Sequence, residues 1–247
     1  GNHDIAWMGA AALSEACIAQ VIVTSVKYGN LETLEVGYGI SLRPLSTLAM
    51  TCYGDDPCEE FHPRDNGEEL HEDEMELARM HKAAAILQFK LEGQLIERNP
   101  DFLMEDRRLL DKIDYENGTI KIGDKTYPML DCNFPTIDPK DPYALTEEET
   151  RLMEQLTASF RHSRQLKRHI DFLYAKGGMY RIINGNLLYH GCVPMNEDGT
   201  FAVWKDGVKS YTGRALFDHI DSRVRSAYFT RNERDVDLMW YLWCGAL

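Results

Sequence analysis

Gly1-Asn2-His3-Asp4 begins the sequence, and its chemistry frames the reading of all that follows. An Asn amide oxygen can ligate a divalent cation, a His can protonate a departing alkoxide, and a Gly lets the backbone turn closely beside metal ions. Side chains of these types at one strand end are what two-metal hydrolysis of a phosphate ester requires. A turn of that kind needs a strand to deliver it. The sequence is therefore expected to be the inside of a longer protein, and Trp243-Cys244-Gly245-Ala246-Leu247, without a polar tail, suggests the same at the other end.

Working outward, the partner of this motif is His190. Met179-Tyr180-Arg181-Ile182-Ile183 reads as a strand, Asn184-Gly185 as a tight turn, and Leu187-Leu188-Tyr189 as the return strand that delivers His190-Gly191. A lone His at a strand end is more often structural than ligating. With Asn2-His3 in the same chain the balance shifts to a metal ligand. Arg181 is the modest choice for a substrate phosphate contact, provided that its side chain faces the cleft. Arg161, Arg164, Lys167 and Arg168 form a basic cluster better read as a solvated helix face. His62, His71, His81, His162, His169 and His219 also read as solvated, and Glu147-Glu148-Glu149 as capping and solvated face.

The remaining organisation is mostly helical. A buried helix is expected through Ser14–Ala19 to about Tyr28, a short one after Pro44, and the clearest one from about Glu69 to Glu97. In that last helix Leu77, Met80, Ala84, Leu87, Leu91 and Leu95 recur at steps of three and four. Thr119–Ile122 and Lys125–Tyr127 read as a hairpin about Gly123-Asp124. Thr146 and Glu149 have capping-box spacing and open a helix to about His162, followed by another over 165–175. Thr212 is expected to cap a helix reaching about Tyr228. Length 247 and a 44% hydrophobic fraction allow one domain, or a core with a sizeable insertion. A net charge of -13 argues against a nucleic-acid surface but not against an anionic small molecule, because bound cations can reverse a local field. No apolar run reaches the ~18 residues of a membrane span. The six scattered Cys read as reduced thiols of a cytoplasmic protein, with a zinc or disulfide role for Cys52 and Cys58 unsupported.

These residues carry a resemblance. Gly1-Asn2-His3-Asp4 resembles the third motif of the calcineurin-like metallophosphoesterases, and Leu188-Tyr189-His190-Gly191 their fourth. Over nearly the whole chain, and most clearly at 1–12, 80–92, 134–146 and 186–195, the sequence is similar to the bacterial class 3 fructose-1,6-bisphosphatases. The resemblance implies an α/β fold leaning helical: part of a layered calcineurin-like sandwich at 1–50 and 176–247, with a large, mostly helical insertion at 51–175. It implies a Mn2+ dimetal centre with Asn2 and His190 as ligands, incomplete here because the other motifs of the family lie outside the chain. It implies His3 as proton donor to the leaving sugar oxygen, and a role for Asp4 that is catalytic or orients the turn. The substrate implied is a sugar bisphosphate, fructose 1,6-bisphosphate, in gluconeogenesis, and the chain alone is expected to be inactive. No nucleic-acid or membrane partner is expected, and a homo-oligomer is compatible with the reading. Another phosphoesterase of the superfamily, such as a protein serine/threonine phosphatase, and a non-catalytic regulatory module stand as alternatives.

Overall fold

The computed structural model describes residues 1–64 and 73–245. The chain leans helical, with small antiparallel sheets. Helix α1 (Asn2–Ala11) ends where Leu13 takes φ 68, and α2 (Glu15–Lys27) follows. A π-helical turn at Thr33–Gly37 leads to α3 (Arg43–Tyr53), which has Pro in its first turn. Helix α4 (Glu74–Arg98) starts at Asp73, whose carboxylate accepts from the Glu76 N–H. The expected start of this helix near Glu69, with Glu68, Glu69 and Glu72, lies outside the described residues, as does His71. Strands β1 (Ile113–Asp114), β2 (Thr119–Ile122) and β3 (Lys125–Pro128) form an antiparallel sheet in that order. Helices α5 (Glu147–His162) and α6 (Arg164–Lys176) precede two hairpins, β4 (Tyr180–Ile183) with β5 (Asn186–Tyr189), and β6 (Trp204–Asp206) with β7 (Lys209–Tyr211). Helices α7 (Gly213–Phe229) and α8 (Glu233–Cys244) close the order. Among the described residues no helix is long and apolar enough to cross a membrane.

The chain divides into two compact units, Gly1–Cys17 with Arg164–Leu247, and Ile18–Ser163. In the second, α3 and α4 form the principal packing pair and α5 rests on α3. The apolar stripe of α4 is buried as its spacing predicts, and each such Leu contributes about 1.5–3 kcal/mol of transfer free energy. The burial extends further round the helix than the stripe and takes in two cations, Lys82 and Lys90, each fully buried. Lys82 Nζ sits 2.7 Å from Asp56 and 2.6 Å from Asp131, and 4.9 Å from the centre of the Tyr53 ring. Lys90 Nζ donates to Glu149 at 2.7 Å and to the Thr136 carbonyl at 2.5 Å. Glu149 is therefore not part of a solvated face. One of its oxygens completes the capping box with Thr146, and the same oxygen holds a buried ammonium. The sequence expectation failed there because a cap is a local pattern, whereas Lys90 lies 59 residues away.

Two of the histidines expected on solvated faces are also enclosed. His81 Nδ1 lies 2.8 Å from the Phe61 carbonyl, and burial pushes its pKa down. His219 stacks on Tyr211 with ring centres 3.8 Å apart and meets Asp206 at 2.9 Å. His62 stays closer to solvent, and its hydrogen bond to Glu74 raises its pKa. Cys58 is buried, and desolvation, reinforced by the Asp56 carboxylate, pushes its thiol up to about 12, which suits an inert side chain rather than a reactive one.

One glycine of α4 has a packing reason. A Cβ at Gly93 would lie 2.1 Å from Cδ1 of Tyr143. That ring cannot retreat: its hydroxyl donates to Asp111 at 2.8 Å and accepts from the Leu110 N–H at 3.1 Å, and the Arg108 guanidinium lies 4.6 Å from the ring centre. Gly93→Ala should lower stability by about 1–3 kcal/mol in denaturant unfolding, although Ala is the better helix former by about 1 kcal/mol. Unchanged or higher stability would show that the ring is not pinned.

Candidate active site

The site residues lie in the unit formed by 1–17 and 164–247. Helix, not turn, is what the first residues adopt: Asn2 is already in α1, and Gly1 is its N-cap. The Asp4 carboxylate meets the terminal ammonium of Gly1 at 2.5 Å, and the Asp4 N–H donates to the Gly1 carbonyl at 3.1 Å. Helical spacing puts Gly1, Asp4, Ile5 and Met8 on one face, and these four line a cavity of about 400 Å³. His3 falls off that face. Its exposed ring meets Trp243 edge-on, centres 5.2 Å apart. The far end of α1 is held by Arg231, which donates to the Ala11 carbonyl at 2.8 Å, a cation where the helix dipole favours one.

His190 reaches the same cavity from the other side. Asn184 and Gly185 turn the hairpin with φ 52 and 77, the two positive values of a two-residue turn whose twist matches the strands. The register pairs Tyr180 with Tyr189, and both rings lie about 6 Å from Phe217 of α7. Tyr180 also donates to Asp218 at 3.0 Å. So seated, β5 ends one residue before His190, and Gly191 takes φ 82 as the chain leaves. A Cβ on Gly1 would lie 3.6 Å from Asp4 Oδ2 and 3.9 Å from His190 Nε2, so a carboxylate and an imidazole flank the space above Gly1.

The structure thus brings together Asp4 and His190 but leaves His3 and Arg181 off the cavity lining. Arg181 turns back to donate to the Lys176 carbonyl at the end of α6. The Asn2 side chain lies outside the described residues. The guanidinium that does line the cavity is Arg225, paired with Asp221 at 2.7 Å and bonded to the Tyr174 carbonyl at 2.9 Å. Sequence reasoning passed over this residue. The available signal was helical spacing, since Phe217, Ile220, Asp221, Val224 and Arg225 share one face of α7. Tyr174 itself is strongly buried, which pushes its hydroxyl well above the usual range and keeps it a donor, here to Val224.

A family model described as Firmicute fructose-1,6-bisphosphatase matches residues 1–247, the whole chain. The chain belongs to that family. Among its relatives, the class 3 fructose-1,6-bisphosphatase of Clostridium novyi (strain NT) is 55% identical over 252 residues, covering 99% of this chain and 38% of the relative. The Clostridium tetani (strain Massachusetts / E88) protein of the same description is 50% identical, and that of Clostridium botulinum (strain Langeland / NCTC 10281 / Type F) 51%. Both cover 100% of this chain, and the chain spans 38% of the length of each. No solved structure matches the chain.

The expected dimetal centre can be tested against the donors this family member presents. Among the described residues no group of three or more His, Cys, Asp or Glu side chains could hold a metal ion. Asp4 and His190 are two donors of suitable chemistry on either side of one space. Two donors do not make a two-metal site, so the residues present do not fit the complete centre, and no catalytic step can be built on it from this chain.

Proposed function

We propose that this chain is a segment of a longer phosphatase that hydrolyses the 1-phosphate of fructose 1,6-bisphosphate to fructose 6-phosphate, a reaction of gluconeogenesis in the cytoplasm. The observation that carries this reading is the family match over all 247 residues, shared with relatives described as class 3 fructose-1,6-bisphosphatases. Asp4 and His190, flanking one space at a cavity, support it from the geometry. In this reading Asn2 and His190 are ligands in a Mn2+ dimetal centre whose other ligands come from beyond this chain. His3 donates the proton to the leaving oxygen, and the chain by itself is inactive. Arg181, tied to Lys176, is a weaker choice for the phosphate than it is from sequence alone.

The calcineurin-like layering is part of the same proposal. The β4–β5 hairpin supports it, because Ile182, Ile183, Leu187 and Leu188 on both of its faces are 48–64% exposed. A two-stranded hairpin with apolar side chains on both faces has the composition of strands meant to be covered on both sides. The phosphoesterase core is assigned to 1–50 and 176–247 and the helical insertion to 51–175 from resemblance.

One experiment addresses activity and layering together on the full-length protein. With Mn2+ it should release phosphate from fructose 1,6-bisphosphate and not from a phosphopeptide, while residues 1–247 alone release none. Amide exchange across 180–189 should be slow in the full-length protein and fast in the chain alone. Preference for the phosphopeptide, or turnover by the chain alone, would overturn the assignment. Fast exchange at the hairpin in the full-length protein would overturn the layering.

A further inference from the structure

We propose that Arg225 recognises the phosphate of the substrate that is not hydrolysed, so that the cavity beside His190 selects a sugar bisphosphate over a monophosphate. The inference rests on the functional reading above and deepens it at one side chain.

Three observations carry it. First, among the described residues Arg225 is the one Lys or Arg that lines the cavity to which Asp4 and His190 also contribute. Most of the remaining wall is apolar, with Ile5, Met8, Leu216, Phe217 and Val224 in it. A mostly apolar cavity of about 400 Å³ with a few placed polar groups is the usual form of a small-molecule site, and the low polarity of such a wall strengthens each hydrogen bond made inside it. Second, the guanidinium is held before any ligand arrives. Its Nε lies 2.7 Å from Oδ2 of Asp221, four residues earlier on α7, and its Nη2 lies 3.5 Å from Oδ1. Its Nη1 donates to the Tyr174 carbonyl of α6 at 2.9 Å. A planar fork already fixed by two groups loses little freedom when it binds a third. Third, these bonds use three of the five guanidinium N–H groups. One N–H stays on each terminal nitrogen, with no partner among the described residues, on a side chain 37% exposed. Two N–H groups on neighbouring nitrogens match two oxygens of one phosphate, a pairing that the single ammonium of a lysine does not reproduce. Asp221 acts through the guanidinium it orients and is a positioning residue. Its charge offsets part of that of Arg225, so the phosphate is recognised more by the geometry of the fork than by net charge.

The test compares two substrates of the full-length protein: fructose 1,6-bisphosphate, and fructose 1-phosphate, which has the same scissile ester and lacks the second phosphate. The unsubstituted protein should favour the bisphosphate in kcat/KM by about 100-fold or more, the worth of two charge-assisted hydrogen bonds. Arg225→Gln should lower that preference at least about tenfold, chiefly through a higher KM for the bisphosphate. Arg225→Lys keeps the charge without the fork and should recover only part of the preference. Asp221→Asn weakens the anchor and should reduce the preference by less than Arg225→Gln does. Arg225 also ties α7 to α6, and a loss of fold lowers turnover of both substrates together, so the ratio between them decides. The same ratio in Arg225→Lys and Asp221→Asn serves where Arg225→Gln does not fold. The proposal is overturned if the unsubstituted protein shows no preference, or if the substitutions leave the ratio unchanged, the result expected of a purely structural link. Failure of the unsubstituted protein to hydrolyse fructose 1,6-bisphosphate at all would instead defeat the functional reading, and the assignment of Arg225 with it.

Discussion

Replacing Lys82 by Met should lower the stability of the chain by about 3–5 kcal/mol at neutral pH, the cost of leaving buried charge without its partner. The Lys82 side chain is 0% exposed, that of Asp56 7% and that of Asp131 20%. Met restores the volume of the stem but leaves two carboxylates facing each other around an empty ammonium position. Asp56 shows how strongly the group is coupled. Burial pushes its carboxyl up, but hydrogen bonds from Lys82, the Cys58 N–H and Asn133, with the charge of Lys82, outweigh that and bring it down to about 2. A carboxyl whose folded value lies below its ordinary 3.8 contributes stability that is complete above about pH 4 and is lost as pH falls through about 2. The deficit of the Lys82→Met protein should accordingly shrink as pH falls through that window, since protonation removes the unpaired charge. Denaturant unfolding at several pH values measures both effects. Combining Lys82→Met with Asp56→Asn and Asp131→Asn should recover much of the loss, because the whole ionic group is then removed rather than one member. A loss below about 1 kcal/mol would place Lys82 with ordinary surface pairs and refute its structural role.

The second large effect concerns His3 in the full-length protein. A sugar alkoxide is a poor leaving group unless it is protonated as the bond breaks, and a placed general acid is worth about 10²–10⁴-fold in rate. His3→Ala should lower kcat on fructose 1,6-bisphosphate within that range, or about 3–5 kcal/mol of barrier. An aryl phosphate whose leaving group needs no proton should lose far less, and this contrast separates proton donation from a general disturbance of the site. The imidazole has the exposure such a role needs, and it meets the Trp243 ring edge-on. Equal losses on both substrates, or a loss under about threefold, would remove His3 from the reaction.

Much of the secondary structure was legible because it is written in short range. The Thr146–Glu149 capping box opens α5 where its spacing predicts, and Asn184-Gly185 turns the hairpin that ends at Tyr189. Gly123-Asp124 likewise joins β2 to β3. Thr212 takes the N-cap position of α7 as expected, but its side chain makes no capping bond, so the position was right and the mechanism was not. Strand β1, the β6–β7 hairpin and α8 were not foreseen. The two β elements are only 2–3 residues per strand, too short for an alternating pattern to stand out. At the site, residue type singled out Asp4 and His190, while their meeting over Gly1 and the face of α7 that lines the cavity were not visible.

By itself the sequence determined most of the longer helices, the β2–β3 and β4–β5 hairpins, and where residues able to carry ligand and proton chemistry lie. Each of these follows from interactions within four or five residues or from the functional groups themselves. The tertiary structure alone decided that Gly1 and Asp4 meet His190 at one cavity, and that Lys82, Lys90 and Glu149 are interior charges rather than a solvated face. Lys82 meets Asp131 from 49 residues away and Lys90 meets Glu149 from 59. A charged side chain has the same periodicity on a helix whether water or a distant opposite charge receives it, so only the packing of remote segments can tell the two apart.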